Sequence, residues 1–174
     1  MDIKQGYQRA MERLYLACVV VAGAALVAIT LMIPLGVFMR YAMNSALSWP
    51  EPASVVMMVL FSFVGGAAVF RAHGHIAVQA LLDSVSPFKR RVMLVAVDAL
   101  TALIALFMLV YGIQLCLVTR FQTIAEFPSL SVAVTYAPIP LAGLLIVLFL
   151  IERVWVGAPP PTSIMYSDRA VGLE

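Results

Sequence analysis

The sequence has few charged residues for its length. Asp, Glu, Lys and Arg make up 11% of its 174 residues, whereas soluble domains contain about 25%. Hydrophobic residues reach 63%, against about 45–50% in soluble domains. This composition excludes a soluble globular domain. The net charge of +2 carries little information by itself, and we expect no nucleic-acid partner.

Cysteine is also scarce, because only Cys18 and Cys116 occur. Two cysteines do not make a disulfide framework. If the first and third apolar stretches both run outward, Cys18 lies near the inner membrane surface and Cys116 near the outer one. A disulfide needs Cα atoms within about 7 Å of each other, so these two sulfurs cannot bond. We interpret both as small apolar packing residues.

Histidine is limited to His73 and His75, which share one loop. No Ser–His–Asp or Cys–His set can be assembled from one loop, and no Gly-rich phosphate loop with a following Lys occurs. A zinc site needs three or four ligands, and Asp83 is the one further ligand nearby. We therefore expect no enzyme activity, no metal and no cofactor. We interpret the histidines as structural polar residues where a helix meets the membrane surface.

Long apolar runs are what the sequence does contain. Four stretches carry no charged residue, at 14–39, 53–70, 99–119 and 127–151. About 20 such residues in a helix cross a ~30 Å hydrocarbon core. The sequence therefore predicts an all-α, polytopic membrane protein with four transmembrane helices and no second domain. The predicted spans are 14–39, 53–71, 92–119 and 131–155, between an N-terminal segment at 1–13 and a flexible tail at 156–174.

The placement of basic residues predicts the orientation. Nine of the 11 Lys and Arg residues lie before the first span, between the second and third, or after the fourth. Only Arg40 and Arg120 lie in the other two loops. The positive-inside rule then places both termini and the middle loop in the cytoplasm. The first apolar run is longer than the ~7–15 residues of a signal-peptide core, so we expect it to be retained as a span.

The start of the second span carries helix-initiation signals. Ser48 and Glu51 have the spacing of a capping box. Pro50 and Pro52 suit a first helical turn, where a missing N–H is tolerated. Trp49 belongs at the headgroup level. Near the other end of the chain, prolines at 138 and 140 predict an interrupted start of the fourth span.

Small residues mark a packing face later in the second span. Ser62, Gly65 and Gly66 would let another helix backbone approach closely, and such approach drives helix association in lipid. The partner is either another helix of this chain or a helix of a second subunit. The sequence alone leaves both alternatives open.

The loop between the second and third spans has its own pattern. Apolar residues at 78, 81, 82 and 85 fall on one helical face. This predicts a short amphipathic helix over 76–85 that lies in the membrane interface, and an ordinary surface loop is the alternative. Lys89, Arg90 and Arg91 follow and are placed to contact anionic headgroups.

One acidic residue, Asp98, lies inside a predicted span. An intramembrane acid is a candidate functional residue, such as the proton-coupling group of a four-span exchanger. The competing interpretation is structural, with Asp98 paired to Arg91 or Arg71 near the cytoplasmic surface. We favour the structural role, because an acid only two turns deep can be paired at the interface.

Three blocks of residues carry a family resemblance. The first joins Arg40, Tyr41 and Asn44 to Trp49-x-Glu51; the second runs from Phe63 through Gly65, Gly66 and Arg71 to His73-x-His75-Ile76-x-Val78; the third is Tyr136, Pro138 and Pro140. Together they resemble the small integral-membrane subunit of a tripartite ATP-independent periplasmic (TRAP) transporter. The resemblance extends from about residue 13 to residue 155.

The resemblance implies a transport system in the bacterial inner membrane. A periplasmic binding protein would capture an organic acid, and a large permease subunit would move it inward with an ion gradient, usually of sodium. The small subunit would be a scaffold for the large one, with membrane lipids as its other neighbours. Charges at its outer end would help to dock the binding protein, namely Arg40, Glu51, Arg120 and Glu126. An autonomous four-span channel or exchanger is the alternative.

Overall fold

A computed structural model describes residues 3–72 and 87–157. The predicted amphipathic helix at 76–85 lies outside the described residues, as do His73 and His75. That helix and the position of the two histidines stay predictions.

Four helices are long and apolar enough to cross a membrane. This confirms the all-α, four-span fold class. The helices are α1 (Ile3–Tyr41), α2 (Pro50–Arg71), α3 (Pro87–Thr119) and α5 (Pro138–Trp155). At 1.5 Å per residue, α1 extends ~58 Å and α3 ~50 Å, so both pass well beyond a ~30 Å core.

Two of these helices begin earlier than the predicted spans. α1 starts at Ile3 rather than at residue 14, and α3 starts at Pro87 rather than at residue 92. The predicted boundaries follow the loss of charge, whereas a helix can continue through charged residues once it leaves the hydrocarbon. Pro87 suits the first turn of α3, because its missing N–H has no helical partner there.

The capping box predicted at the start of α2 is wrong. Trp49 occupies the N-cap position, and no side chain caps the helix there. Ser48 is exposed and lies one residue too early to cap. The proline prediction is confirmed, because α2 begins at Pro50 and Pro52 also lies in its first turn. The prolines remove N–H groups that would otherwise need a cap.

A short β-hairpin follows α3 and was not predicted. Strands β1 (Thr123–Ile124) and β2 (Phe127–Ser131) pair antiparallel. The Ser131 hydroxyl lies 2.8 Å from the Arg120 carbonyl and accepts a hydrogen bond from the Ala133 N–H at 3.1 Å. The hairpin thereby satisfies a carbonyl at the end of α3 that lacks a helical partner.

The start of the fourth span shows less of an interruption than predicted, because Ala137 keeps helical backbone angles and the candidate span runs from Ala133 to Trp155. A single turn of helix, α4 (Ala133–Tyr136), is followed by Ala137, and α5 then begins at Pro138.

The helices pack in the spatial order α1, α2, α5, α3. α1 lies against α2, α2 against α5, and α5 against α3. The buried core is formed by α1, α2 and α5: Met11, Cys18, Val64, Ala67, Ala68, Ala142, Leu145 and Phe149. α3 contacts α5 along a narrow strip of residues that includes the fully buried Ala105. Most of the large apolar side chains of α3 are exposed.

Both ends of the described chain lie at the same end of the helix bundle. We call this the terminal end; it includes the start of α1 and the last turn of α5. The opposite end holds the hairpin and the connection from α1 to α2, and we call it the hairpin end. The charged residues of the helices concentrate near these two ends, and each end forms a distinct candidate site.

Candidate functional site

A buried ion pair joins α2 to α5 at the terminal end. Arg71 Nε and Nη2 each donate a hydrogen bond of 2.7 Å to a carboxylate oxygen of Glu152. Both side chains are only 4% exposed. Two parallel hydrogen bonds between a guanidinium and a carboxylate fix direction as well as distance. The pair therefore sets the relative position of the last turns of α2 and α5.

Aromatic rings surround the Arg71 guanidinium. Its carbon lies 5.4 Å from the centre of the Tyr15 ring and 5.6 Å from the centre of the Phe149 ring. Ring faces attract a cation within about 6 Å. These contacts compensate part of the desolvation penalty that a buried ion pair carries. Arg71 is thus held between α1 and α5 as well as by Glu152.

A second ion pair joins α5 to α3. Arg153 Nη1 lies 3.2 Å from Asp98 Oδ1, and the two side chains are 26% and 24% exposed. The contact is ionic only, because Oδ1 accepts no hydrogen bond of good geometry from the described residues. Pairing of Asp98 with Arg91 or Arg71 was the expectation, and the structure places Arg153 there instead.

Tyr7 connects α1 to the same turn of α5. Its hydroxyl donates a hydrogen bond of 3.1 Å to the Leu148 carbonyl. Its ring meets Trp155 edge to face at 5.9 Å. Tyr7, Glu152 and Arg153 thus link the last two turns of α5 to the other three long helices. This cluster has the chemistry of a structural clasp, since its charged groups form ion pairs with one another between helices.

At the hairpin end, Arg40 and Glu51 face each other across a cleft. Arg40 Nη2 lies 3.7 Å from Glu51 Oε2, and the side chains are 56% and 84% exposed. The cleft lies between the end of α1 and the start of α2, with Met32, Gly36 and Pro50 among the apolar residues that line it. A distance of 3.7 Å is too long for a hydrogen bond. The two charges therefore keep their hydrogen-bonding capacity.

The other two charged residues of the expected docking surface, Arg120 and Glu126, lie beside and within the hairpin. The Arg120 guanidinium carbon stacks 4.4 Å from the centre of the Phe121 ring, and Phe121 is 80% exposed. Glu126 is exposed at the tip, between β1 and β2. The structure thus presents a cation, an aromatic ring and an anion on one small ordered surface. The aromatic ring and the hairpin were not part of the expected docking surface.

The small residues of α2 divide between two faces. A Cβ added at Gly65 would lie 3.5 Å from the Ala22 Cβ, so Gly65 faces α1. A Cβ at Gly66 would meet nothing within 4 Å, and Ser62, one turn earlier, is exposed. The partner of this face was expected to be either a helix of this chain or a helix of a second subunit, and these two alternatives apply to different residues. Gly65 packs within the chain, whereas Ser62 and Gly66 remain open.

The tightest helix contacts lie at glycines that sequence reasoning did not select. A Cβ at Gly143 of α5 would lie 2.7 Å from the Ala105 carbonyl oxygen and 2.9 Å from the Leu109 nitrogen. A Cβ at Gly112 of α3 would lie 2.9 Å from the Pro140 nitrogen. Real Cβ atoms do not approach backbone this closely. These two glycines therefore permit the crossing of α3 and α5.

The basic residues expected at the membrane surface are helical. Lys89, Arg90 and Arg91 are exposed on the first turns of α3 at the terminal end. Trp49 is 37% exposed at the hairpin end. A bundle with basic residues at one end and an aromatic residue at the opposite end suits the two interfaces of a bilayer.

The described parts of the chain contain no group of three or more His, Cys, Asp or Glu side chains that could hold a metal ion. Polar side chains along the long helices are few. Thr101 is half-buried on α3, and Gln114 of the same helix is exposed. The fold and its sites define a multi-pass, all-helical membrane protein whose charges are concentrated at two ends.

Comparison with known sequences identifies the class more closely. The family model "Tripartite ATP-independent periplasmic transporters, DctQ component" matches residues 29–159, well over half of the chain. The chain belongs to this family of TRAP transporter small permease components. A Haemophilus influenzae protein named "Putative TRAP transporter small permease protein" is 25% identical over 124 residues, which cover 71% of this chain and 76% of the relative. The family resemblance found in the sequence is thereby confirmed.

Proposed function

We propose that this chain is the small membrane subunit of a binding-protein-dependent transporter for organic acids, and that it acts as a scaffold for a large permease subunit. Uptake by the assembled system would be driven by an ion gradient. The family supports a transporter component, and the structure adds physical reasons for a scaffold rather than an independent carrier.

The open face of α2 is the observation that carries the proposal. Ser62 and Gly66 are one turn apart, exposed, and left uncovered by the chain's own packing. Helix association in lipid depends on such small and hydroxyl-bearing positions. Gln114 of α3 adds support, because an exposed amide within a span is unfavourable in lipid alone and can be satisfied by a partner helix.

The few polar groups of the spans support a scaffold over an exchanger. Asp98 is the acid that a proton-coupled exchanger would use, but its carboxylate lies 3.2 Å from Arg153. A paired carboxylate near one surface stabilises helix positions and offers no path across the bilayer. An organic acid would need compensating cations along its route, because an unpaired charge in the core costs several kcal/mol.

The hairpin end is the proposed docking surface for the periplasmic binding protein. Arg120, Phe121 and Glu126 project from an ordered loop. Complementary charges at such a rim act mainly on association rate and orientation. Arg40 and Glu51 lie at the same end but face each other, so we assign the larger share of docking to the hairpin. This assignment requires both termini to be cytoplasmic, as the distribution of basic residues predicts.

Two glycines give a matched test of the scaffold face. At both Gly66 and Gly23, a Cβ would meet nothing within 4 Å, so Gly66→Leu and Gly23→Leu should leave the isolated chain equally stable. Co-purification with the large subunit should fall in Gly66→Leu and stay unchanged in Gly23→Leu. Equal recovery of the large subunit with both variants would contradict the assignment of this face.

A further inference from the structure

The cleft between α1 and α2 at the hairpin end combines apolar walls with a charged rim. Its walls are apolar and begin near Met32, eight residues before Arg40 on α1. That separation corresponds to ~12 Å along a helix, so the cleft extends from the charged rim well into hydrocarbon depth. Arg40 and Glu51 form the rim. A ligand for this cleft must combine a charged head with an apolar tail.

The rim carries one charge of each sign, and the two groups form an ion pair without a hydrogen bond. The 3.7 Å separation of Arg40 Nη2 and Glu51 Oε2 is too long for a hydrogen bond. Neither side chain forms a hydrogen bond within residues 3–72 and 87–157. A headgroup that carries both a phosphate and an ammonium would complement them, because guanidinium binds phosphate and carboxylate binds ammonium.

The depth of the rim agrees with a lipid headgroup. Trp49 and Tyr41 flank the rim, and both aromatic side chains are partly or largely exposed. Such residues concentrate at the level of headgroups. Gly36 lines the floor, where a Cβ would lie 3.4 Å from the Pro50 Cβ. The absence of a side chain at this position keeps the floor open where α1 and α2 converge.

We propose that this cleft binds one phospholipid whose headgroup contains a phosphate and a primary ammonium, as in phosphatidylethanolamine. The phosphate lies against Arg40, the ammonium lies against Glu51, and an acyl chain follows the apolar floor toward Met32. A primary ammonium donates hydrogen bonds to a carboxylate, whereas the trimethylammonium of phosphatidylcholine has no N–H to donate. Phosphatidylglycerol carries the phosphate without any ammonium and leaves Glu51 unpaired.

The test measures lipid retention on the purified full chain by native mass spectrometry, after exposure to phosphatidylethanolamine, phosphatidylcholine or phosphatidylglycerol of identical acyl chains. Phosphatidylethanolamine should be retained best. Arg40→Gln should weaken retention of all three lipids by about 5-fold, as expected for loss of one exposed ionic contact. Glu51→Gln should remove the preference for phosphatidylethanolamine while keeping phosphate binding. The matched control is Arg120→Gln, which removes an exposed cation at the same end without touching the cleft.

Further experiments distinguish a bound phospholipid from a soluble ligand with the same headgroup. Glycerophosphoethanolamine, which has the headgroup without acyl chains, should not compete at concentrations where the lipid is retained. Effective competition would overturn the lipid assignment in favour of a soluble phosphate ligand. If the wild type retained phosphatidylglycerol as well as phosphatidylethanolamine, the proposed contact between the ammonium and Glu51 would be contradicted. Unchanged lipid retention in Arg40→Gln, with weaker binding of the periplasmic protein, would assign the cleft to docking instead.

Discussion

Arg71 and Glu152, 81 positions apart in the sequence, form two hydrogen bonds of 2.7 Å with each other in the buried terminal end of the bundle. The next residue, Arg153, lies beside Asp98 of α3. Neighbouring residues in a helix point about 100° apart, so one turn of α5 contacts two different helices. These two ion pairs hold α2, α3 and α5 together at the end where both described chain termini lie.

Removing one partner of the buried pair should destabilise the protein strongly. Glu152→Ala leaves the Arg71 cation buried without its carboxylate, which typically costs about 3–5 kcal/mol. The apolar double variant Arg71→Met with Glu152→Leu should recover most of that loss, because no charge remains to be desolvated. Thermal unfolding in detergent, followed by circular dichroism, measures both effects.

The less buried ion pair supplies the control. Asp98→Asn removes a carboxylate whose partner Arg153 is 26% exposed, so its effect should stay nearer the ~1 kcal/mol of a surface ion pair than that of Glu152→Ala. If Asp98→Asn lowered the stability of the protein as much as Glu152→Ala, the argument that burial makes the Arg71–Glu152 pair more important would be contradicted. A double variant no more stable than Glu152→Ala would contradict the argument from desolvation.

The α3–α5 crossing should tolerate no side chain at Gly143. A Cβ there meets the Ala105 carbonyl and the Leu109 nitrogen, and backbone cannot move aside as a flexible side chain can. Gly143→Ala should cost about 3 kcal/mol, the upper range for overpacking. Gly66→Ala, where a Cβ meets nothing within 4 Å, is the matched control. Similar unfolding temperatures for the two variants would exclude the close crossing.

Sequence patterns predicted the membrane fold but not the contacts within it. Four uncharged runs are long enough to identify spans without knowledge of their neighbours. The partner of Arg71 could not be predicted, because it depends on how α2 and α5 are rotated when they pack. The same holds for Gly143 and Gly66, which look alike in sequence and differ only in which face meets another helix.

The β-hairpin escaped prediction for a different reason. Its strands contain two and five residues, which is too short for an alternating pattern to stand out. Pro128 lies inside β2, and a proline normally argues against a strand. Strand β2 carries no charged residue, so in the sequence it is continuous with the apolar run at 127–151 that predicts the fourth span. The Ser131 contacts with the end of α3 are tertiary and leave no local signal.

The distribution of basic residues predicts that both termini lie in the cytoplasm. A reporter fused after Arg120 and a reporter fused after Arg153 should therefore show opposite sides of the membrane. Alkaline phosphatase activity, which requires export, should be high for the first fusion and low for the second. A reversed pattern would invert the orientation, and equal activities would contradict the four-span topology.

Reversing the charge of the hairpin should weaken transport without disrupting the membrane complex. Arg120→Glu replaces the exposed cation beside Phe121 with an anion, so an acidic patch on the binding protein would be repelled. The apparent KM of the reconstituted system for binding protein should rise about 2- to 5-fold, as expected for a surface ion pair worth ~0.5–1 kcal/mol.

Higher salt should reduce the difference in KM between Arg120→Glu and the wild type, because exposed charges are screened. Arg91→Glu makes the same change at an exposed residue of the terminal end and should leave this KM unchanged. An unaltered KM in Arg120→Glu would remove the hairpin from docking, and uptake by the small chain alone would contradict the scaffold function itself.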